Sequence, residues 1–145
     1  MTGYKIMKWI SAVVALAILI FAIIGGYILF YEMFPLADPL EYPSKDDVTL
    51  ITIQNDMNGS RTLDKERYDD LVSGIKDAEP TREWSVNDYP TVKSYYTVSL
   101  NTEGRAFRYF VYRDGGRVYI ESAYEGIYLT NEDYLQLVES FFEVN

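Results

Sequence analysis

An unbroken apolar run from Trp9 to Phe30, WISAVVALAILIFAIIGGYILF, dominates the hydropathy pattern and carries no charge over 22 positions. At a rise of about 1.5 Å per residue, a helix of that length extends about 33 Å and spans a hydrocarbon core of about 30 Å. The run predicts a transmembrane helix over 9–30. Lys5 and Lys8 precede it, whereas Glu32, Asp38 and Glu41 follow. Basic residues mark the cytoplasmic flank of a span, so residues 1–8 are expected in the cytoplasm and the rest outside it, with 9–30 embedded in membrane lipid. A cleaved signal peptide competes with this reading, since Ala15-Leu16-Ala17 has the small-x-small form that signal peptidase accepts. Cleavage there leaves Ile18 to Phe30 as an apolar N-terminus, and the run exceeds the roughly 7–15 residues of a typical signal core. An uncleaved single-pass anchor at the plasma membrane is the better reading.

Beyond the run, Pro35, Pro39 and Pro43 recur among acidic and aromatic residues, and each lacks the N–H that a helix or central strand uses. Residues 31–47 are expected as an extended stalk. Trp9 at one end of the span, and Tyr27, Tyr31 and Phe34 at the other, suit the membrane interface. The remaining segment, 48–145, alternates between strand and helix patterns. Val48 to Gln54 reads as a strand covered on both faces, and Asn55 to Ser60 as a loop. Asp64 is expected to cap a helix to about Ala78, with Tyr68, Leu71, Val72 and Ile75 as its buried stripe. Glu79 to Pro90 reads as a structured loop pinned to the core by Trp84. Val92 to Asn101, Arg105 to Arg113 and Arg117 to Glu121 form a meander, its second turn at Asp114-Gly115-Gly116. Thr130 and Asp133 resemble a capping box for a last helix carrying Tyr134, Leu137, Val138 and Phe141. The order β-α-β-β-β-α predicts an α+β domain: a four-stranded, mainly antiparallel sheet with two helices on one face.

Composition removes several chemistries. Past Tyr31 the chain has 11 Lys and Arg against 22 Asp and Glu, a net charge of −11, the wrong sign for nucleic acid. The sequence has no His and no Cys, which excludes Ser-His-Asp triads, thiol nucleophiles, Cys/His zinc sites and disulfides. No cofactor or metal site is expected. Asp56-Met57-Asn58-Gly59 resembles the middle of a calcium loop, but aligning Gly59 with the sixth position puts Gln54 first and Lys65 twelfth, where acids belong. Asp46 and Asp47 offer no more than weak charge neutralisation.

Two segments, SVNDYP at Ser85 to Pro90 and YIESAYEGIY at Tyr119 to Tyr128, resemble the signature of a small family of uncharacterised Gram-positive proteins. These have an N-terminal membrane anchor or signal and one small α+β extracytoplasmic domain. The resemblance extends over about Val48 to Phe142 and implies fold and location without an activity. The family's second motif has a proline where this chain has Ala123, a departure that weakens the expectation of a rigid turn.

The same segments supply the candidate interaction residues: Ser85, Asn87 and Asp88 before the meander, and Glu121, Tyr124, Glu125 and Tyr128 where its last strand meets a loop. Against a binding role stands a structural one, with Asn87 or Asp88 capping the loop, the tyrosines packed over the sheet and Gly126 supplying an unusual backbone angle. Paired carboxylates are the hydrolytic scheme left open, with Glu121 and Asp88 as the pair. Abundant acids make some proximity inevitable, and no catalytic residue is expected. Of 14 tyrosines, Tyr95, Tyr109 and Tyr119 are expected to share an exposed sheet face, either as a binding surface or as cross-strand packing. Arg105, Arg108, Arg113 and Arg117 surround the meander, paired with its acids or placed for an anionic partner. The reading that results is a non-enzymatic membrane protein presenting an acidic interaction or sensing domain to an exported or membrane protein. The alternative is a cell-wall glycan-binding or carboxylate-dependent hydrolytic module.

Overall fold

The computed structural model describes residues 2–55 and 59–143, and divides the chain into two compact units, Met1–Pro35 and Leu36–Asn145. The Asp56-Met57-Asn58 tract weighed above as a calcium loop lies outside the described residues.

The first unit is one helix, α1, Thr2–Met33, extending past both ends of the expected span. Its apolar window has mean hydropathy 2.8, and side chains all around it are exposed, from Trp9 at 75% to Phe21 at 76%. This helix is long and apolar enough to cross a membrane. Length and composition of this kind belong to membrane anchors and to signal sequences alike.

The second unit is α+β, with seven strands and two α-helices among the described residues. The strands are β1 Leu50–Asn55, β2 Gly59–Leu63, β3 Glu79–Pro80, β4 Tyr96–Asn101, β5 Ala106–Asp114, β6 Arg117–Ser122 and β7 Gly126–Thr130, and the helices are α2 Tyr68–Lys76 and α3 Glu132–Glu143. All pairings are antiparallel, in the order β2-β1-β4-β5-β6-β7-β3. The expected four strands thus become seven. Those not foreseen are edge or near-edge elements: β2, GSRTL, has no apolar alternation because its side chains meet solvent, and β3 is two residues long with Pro80 at the sheet margin. β7 was hidden inside the second motif.

One sheet face builds the core. Ile51, Ile53, Val98, Leu100, Tyr109, Val111, Val118, Ile120 and Tyr128 pack with Leu71, Val72 and Ile75 of α2 and Tyr134, Leu135 and Val138 of α3. The stripe expected on α2 is buried as read. Its start differs: a 3₁₀ turn, Lys65–Arg67, precedes it, and the Asp64 side chain makes no cap. At α3 the cap lies one residue later than expected. The Asn131 Oδ1 accepts the Tyr134 N–H at 2.9 Å, while Thr130 is turned inward with a buried Oγ1. The Asp114–Arg117 hairpin forms as predicted, with positive φ at Gly115 and Gly116.

The largest departure concerns the expected stalk. Residues 36–47 lie along the domain as a strap: Ala37, Leu40 and Pro43 are buried, as is Val48 just beyond. Prolines prevent a ladder here, so side chains supply the bonds. The Tyr128 hydroxyl donates to the Asp38 carbonyl at 2.6 Å, the Tyr109 hydroxyl to the Glu41 carbonyl at 2.5 Å, and the Tyr68 hydroxyl to the Pro43 carbonyl. A backbone bond from the strap to the rest of the domain runs from the Ala37 N–H to the Thr81 carbonyl at 3.0 Å. Tyr109, 1% exposed, therefore belongs to the core and not to an exposed tyrosine face. Gly126 has ordinary φ, and its role is steric: an added Cβ would stand 2.5 Å from the Ala37 Cβ.

Gly126→Ala is accordingly expected to cost about 1–3 kcal/mol by forcing strap and strand apart, read as a lower urea midpoint. The strap also predicts an alkaline weakness. Burial raises the hydroxyls of Tyr68, Tyr109 and Tyr128, the last to about 12, above the ordinary tyrosine value of about 10. The unfolded chain then loses these protons first, so the stability they contribute is complete below about pH 10 and is lost as pH rises towards 12. Urea midpoints taken from pH 8 upward should stay level and then fall above about 10, and Tyr128→Phe should flatten the fall.

Candidate functional site

The opposite face of the sheet is where the candidate residues gather. Alternation along β5 and β6 turns Phe110, Tyr112, Tyr119 and Glu121 away from the core, with Phe110 directly across from Glu121. Residues 81–95 cover this face. Tyr89 and Tyr95 lie over Phe110 with ring centroids at 5.8 and 5.5 Å, leaving Phe110 1% exposed. The segment is anchored on β7 by the Thr81 N–H to the Ile127 carbonyl and the Ile127 N–H to the Glu83 carbonyl, at 3.0 and 3.1 Å.

Beneath the covering segment, Glu121 is 5% exposed and accepts at both oxygens. The Ser85 hydroxyl donates to Oε1 at 2.7 Å and the Tyr112 hydroxyl to Oε2 at 3.0 Å. A buried carboxylate is tolerable only when hydrogen-bonded, and these donors come from the covering segment and the neighbouring strand. Burial, and then the adjacent Glu121 charge, push the Tyr112 hydroxyl well up from its ordinary value. Of the two carboxylates weighed as a pair, Glu121 is buried under the covering segment, while Asp88 is an exposed loop residue engaged with Tyr124.

Asp88 reaches the turn after β6. Its Oδ1 accepts the Tyr124 hydroxyl at 2.7 Å, a bond that raises the Tyr124 pKa. The two motif loops therefore meet twice, through Ser85–Glu121 inside and Asp88–Tyr124 outside. Tyr124 pays for this position with φ of 62°, a left-handed conformation rare for a bulky residue, while its ring is 62% exposed. Such strain persists only where surrounding structure over-determines it, and it clusters at functional sites. The turn is closed by the Glu125 N–H to the Ser122 carbonyl at 3.0 Å, and the Ser122 hydroxyl donates to the Glu125 carboxylate at 2.6 Å.

Of the remaining candidates, Asn87 is exposed and offers its carbonyl to the Ser85 hydroxyl at 3.5 Å. Tyr128 points to the other face, into the core beneath the strap. Arg105 ties Glu125 to the strap, 3.7 Å from its carboxylate and 3.2 Å from Glu41. A cleft of about 370 Å³ lies around Arg105, Arg108, Asp88 and Tyr89. Beside it, a pocket of about 220 Å³ is lined by Trp84, Tyr124, Asp38, Glu41 and Glu125.

Sequence reasoning missed the exposed apolar residues of the covering segment. Trp84 is 51% exposed rather than pinned in the core, and Val86 and Tyr89 are 72% and 55% exposed. It also missed Asp38 and Glu41, which were assigned to the stalk. A signal was present in the spacing of Trp84, Val86 and Tyr89 among Ser, Asn and Asp, where a buried segment shows more continuous apolarity.

The profile of family DUF5301, described as "Domain of unknown function (DUF5300)", matches residues 36–129. That match begins with the strap, in agreement with the boundary of the folded unit. The NMR structure of a protein from Ruminococcus gnavus is similar, with TM-score 0.54 and 29% identity over 66% of this chain and 97% of that one. Among curated proteins there is no match.

With the Glu125 N–H bonded to the Ser122 carbonyl and positive φ at Tyr124, the turn has the pattern of type II, which places Ala123 where proline is favoured. Ala123→Pro should therefore stabilise the domain by about 0.4–1 kcal/mol, by restricting the unfolded chain, and raise the urea midpoint.

Proposed function

As this chain belongs to the DUF5301 domain family, whose function is unassigned, we propose that it is a non-enzymatic, single-pass membrane protein presenting a protein-binding domain outside the cytoplasm. Lys5 and Lys8 before the apolar helix, and the acids after it, support the orientation. The binding face is the covering segment with the turn after β6.

One observation carries the reading. Trp84, Val86, Tyr89 and Tyr124 stand exposed on loops that are braced from beneath by a buried carboxylate and from the side by Asp88. Large apolar side chains on an ordered platform are the makings of a contact surface, since little entropy remains to be lost when they are covered. Trp and Tyr are also the residues that anchor interfaces. A scheme that hydrolyses through Glu121 has no comparable support, because that side chain is enclosed.

The test uses the full-length protein in its native cells, with a photo-crosslinking residue at Val86 or, as control, at the exposed Ser60 on β2. A single dominant protein adduct at Val86, absent at Ser60 and lost in Trp84→Ala without a change in unfolding midpoint, is the expected result. Equal adducts at both positions, or an adduct indifferent to Trp84→Ala, would refute it.

A further inference from the structure

The exposed aromatics do not stand on neutral ground. Trp84 and Tyr124 line the 220 Å³ pocket together with Asp38 and Glu41 of the strap and Glu125 of the turn after β6. Arg105 neutralises Glu41 and Glu125 from the neighbouring cleft, but it does not line this pocket. Among the described residues the Asp38 carboxylate has no hydrogen-bond or ion-pair partner; only its backbone carbonyl is engaged, by Tyr128. A pocket lined by both aromatic and acidic residues is complementary to a cation with an apolar stem, because ring quadrupoles and carboxylates attract the same charge. No group of three or more acids among the described residues is arranged to hold a metal ion, so an inorganic cation is the poorer match.

Resting on the binding role proposed above, we infer that the occupant of this pocket is a lysine side chain on a basic segment of the partner protein. Lysine fits on chemical grounds. Its four-carbon stem can lie against Trp84 and Tyr124, and its ammonium carries N–H donors that carboxylates accept, which a quaternary ammonium lacks. The size of the pocket admits one such side chain and not a folded element. The net charge of −11 beyond Tyr31 adds long-range attraction for a basic partner.

The experiment uses the full-length chain in maltoside micelles with Trp9→Phe, which leaves Trp84 as the sole indole. Its emission is followed while a capped pentapeptide with one central lysine is added, then the same peptide with Nε-acetyl-lysine, then choline. Saturable change with lysine, at least fivefold weaker with the acetylated peptide and with choline, and at least fivefold weaker again in Asp38→Asn, is expected. Asp38→Asn keeps the backbone carbonyl that Tyr128 holds, and an unchanged urea midpoint is the check that the fold is intact. Equal response to both peptides, or no effect of Asp38→Asn, overturns the lysine assignment. Stronger binding of choline overturns it too, in favour of a quaternary ligand. If the peptides fail while the Val86 adduct still depends on Trp84, the lysine assignment falls alone; if the adduct is lost as well, the binding reading falls with it.

Discussion

A carboxylate withdrawn from water costs several kcal/mol unless donors replace the solvent, and Glu121 sits in that position at the centre of the outer sheet face. Tyr112 supplies one donor from the adjacent strand, but the other belongs to Ser85, which reaches it only when residues 81–95 close over the sheet. Closure in turn shelters Phe110 under Tyr89 and Tyr95, and brings Asp88 to Tyr124. The exposed ring of Trp84 is held out by the same closure. A single buried acid thus converts a long irregular segment into a defined surface, in a chain with no cysteine to form a disulfide.

How much of this was legible in the sequence depends on whether a local pattern carried it. The α2 stripe of Tyr68, Leu71, Val72 and Ile75 and the Asp114-Gly115-Gly116 turn were readable because helix periodicity and positive φ are encoded within a few residues. The apolar helix was readable for the same reason, and the helix itself runs beyond the expected 9–30 span, over Thr2–Met33. β2 was not, because an edge strand with its side chains in water loses the alternation that marks a half-buried one. The site was half legible: Ser85, Asp88, Glu121 and Tyr124 were picked out, and two hydrogen bonds join them in pairs. Tyr128, carried both as an interaction candidate and as a packing residue, is buried, whereas Trp84, expected against the core, is exposed. The polar neighbours of Trp84 hint at its exposure, but whether an aromatic ring is buried, as Tyr128 is at 1% exposure, depends on which distant elements pack over it.

The strap was illegible for a different reason. Three prolines in a short acidic stretch argue against helix and strand, and the argument holds. What it omits is that a chain without secondary structure can still be bound, provided that other elements supply donors to its carbonyls. Tyr68, Tyr109 and Tyr128 do so from α2, β5 and β7, elements separated by up to 60 positions in the chain. Only the folded sheet brings them to one line.

That line has a mechanical consequence. The strap is the first part of the domain met when the chain is followed from the apolar helix, and its attachments come in series: Ala37 to Thr81, then Asp38, Glu41 and Pro43 to their tyrosines. A pull applied through residue 35 loads these bonds one after another and peels them singly, whereas the paired strands of β5 and β6 would have to yield together. Local openings of this kind lie at the low end of a protein's free-energy scale. The strap therefore behaves as a fuse, its dozen residues peeling away under tension before the paired strands have to separate.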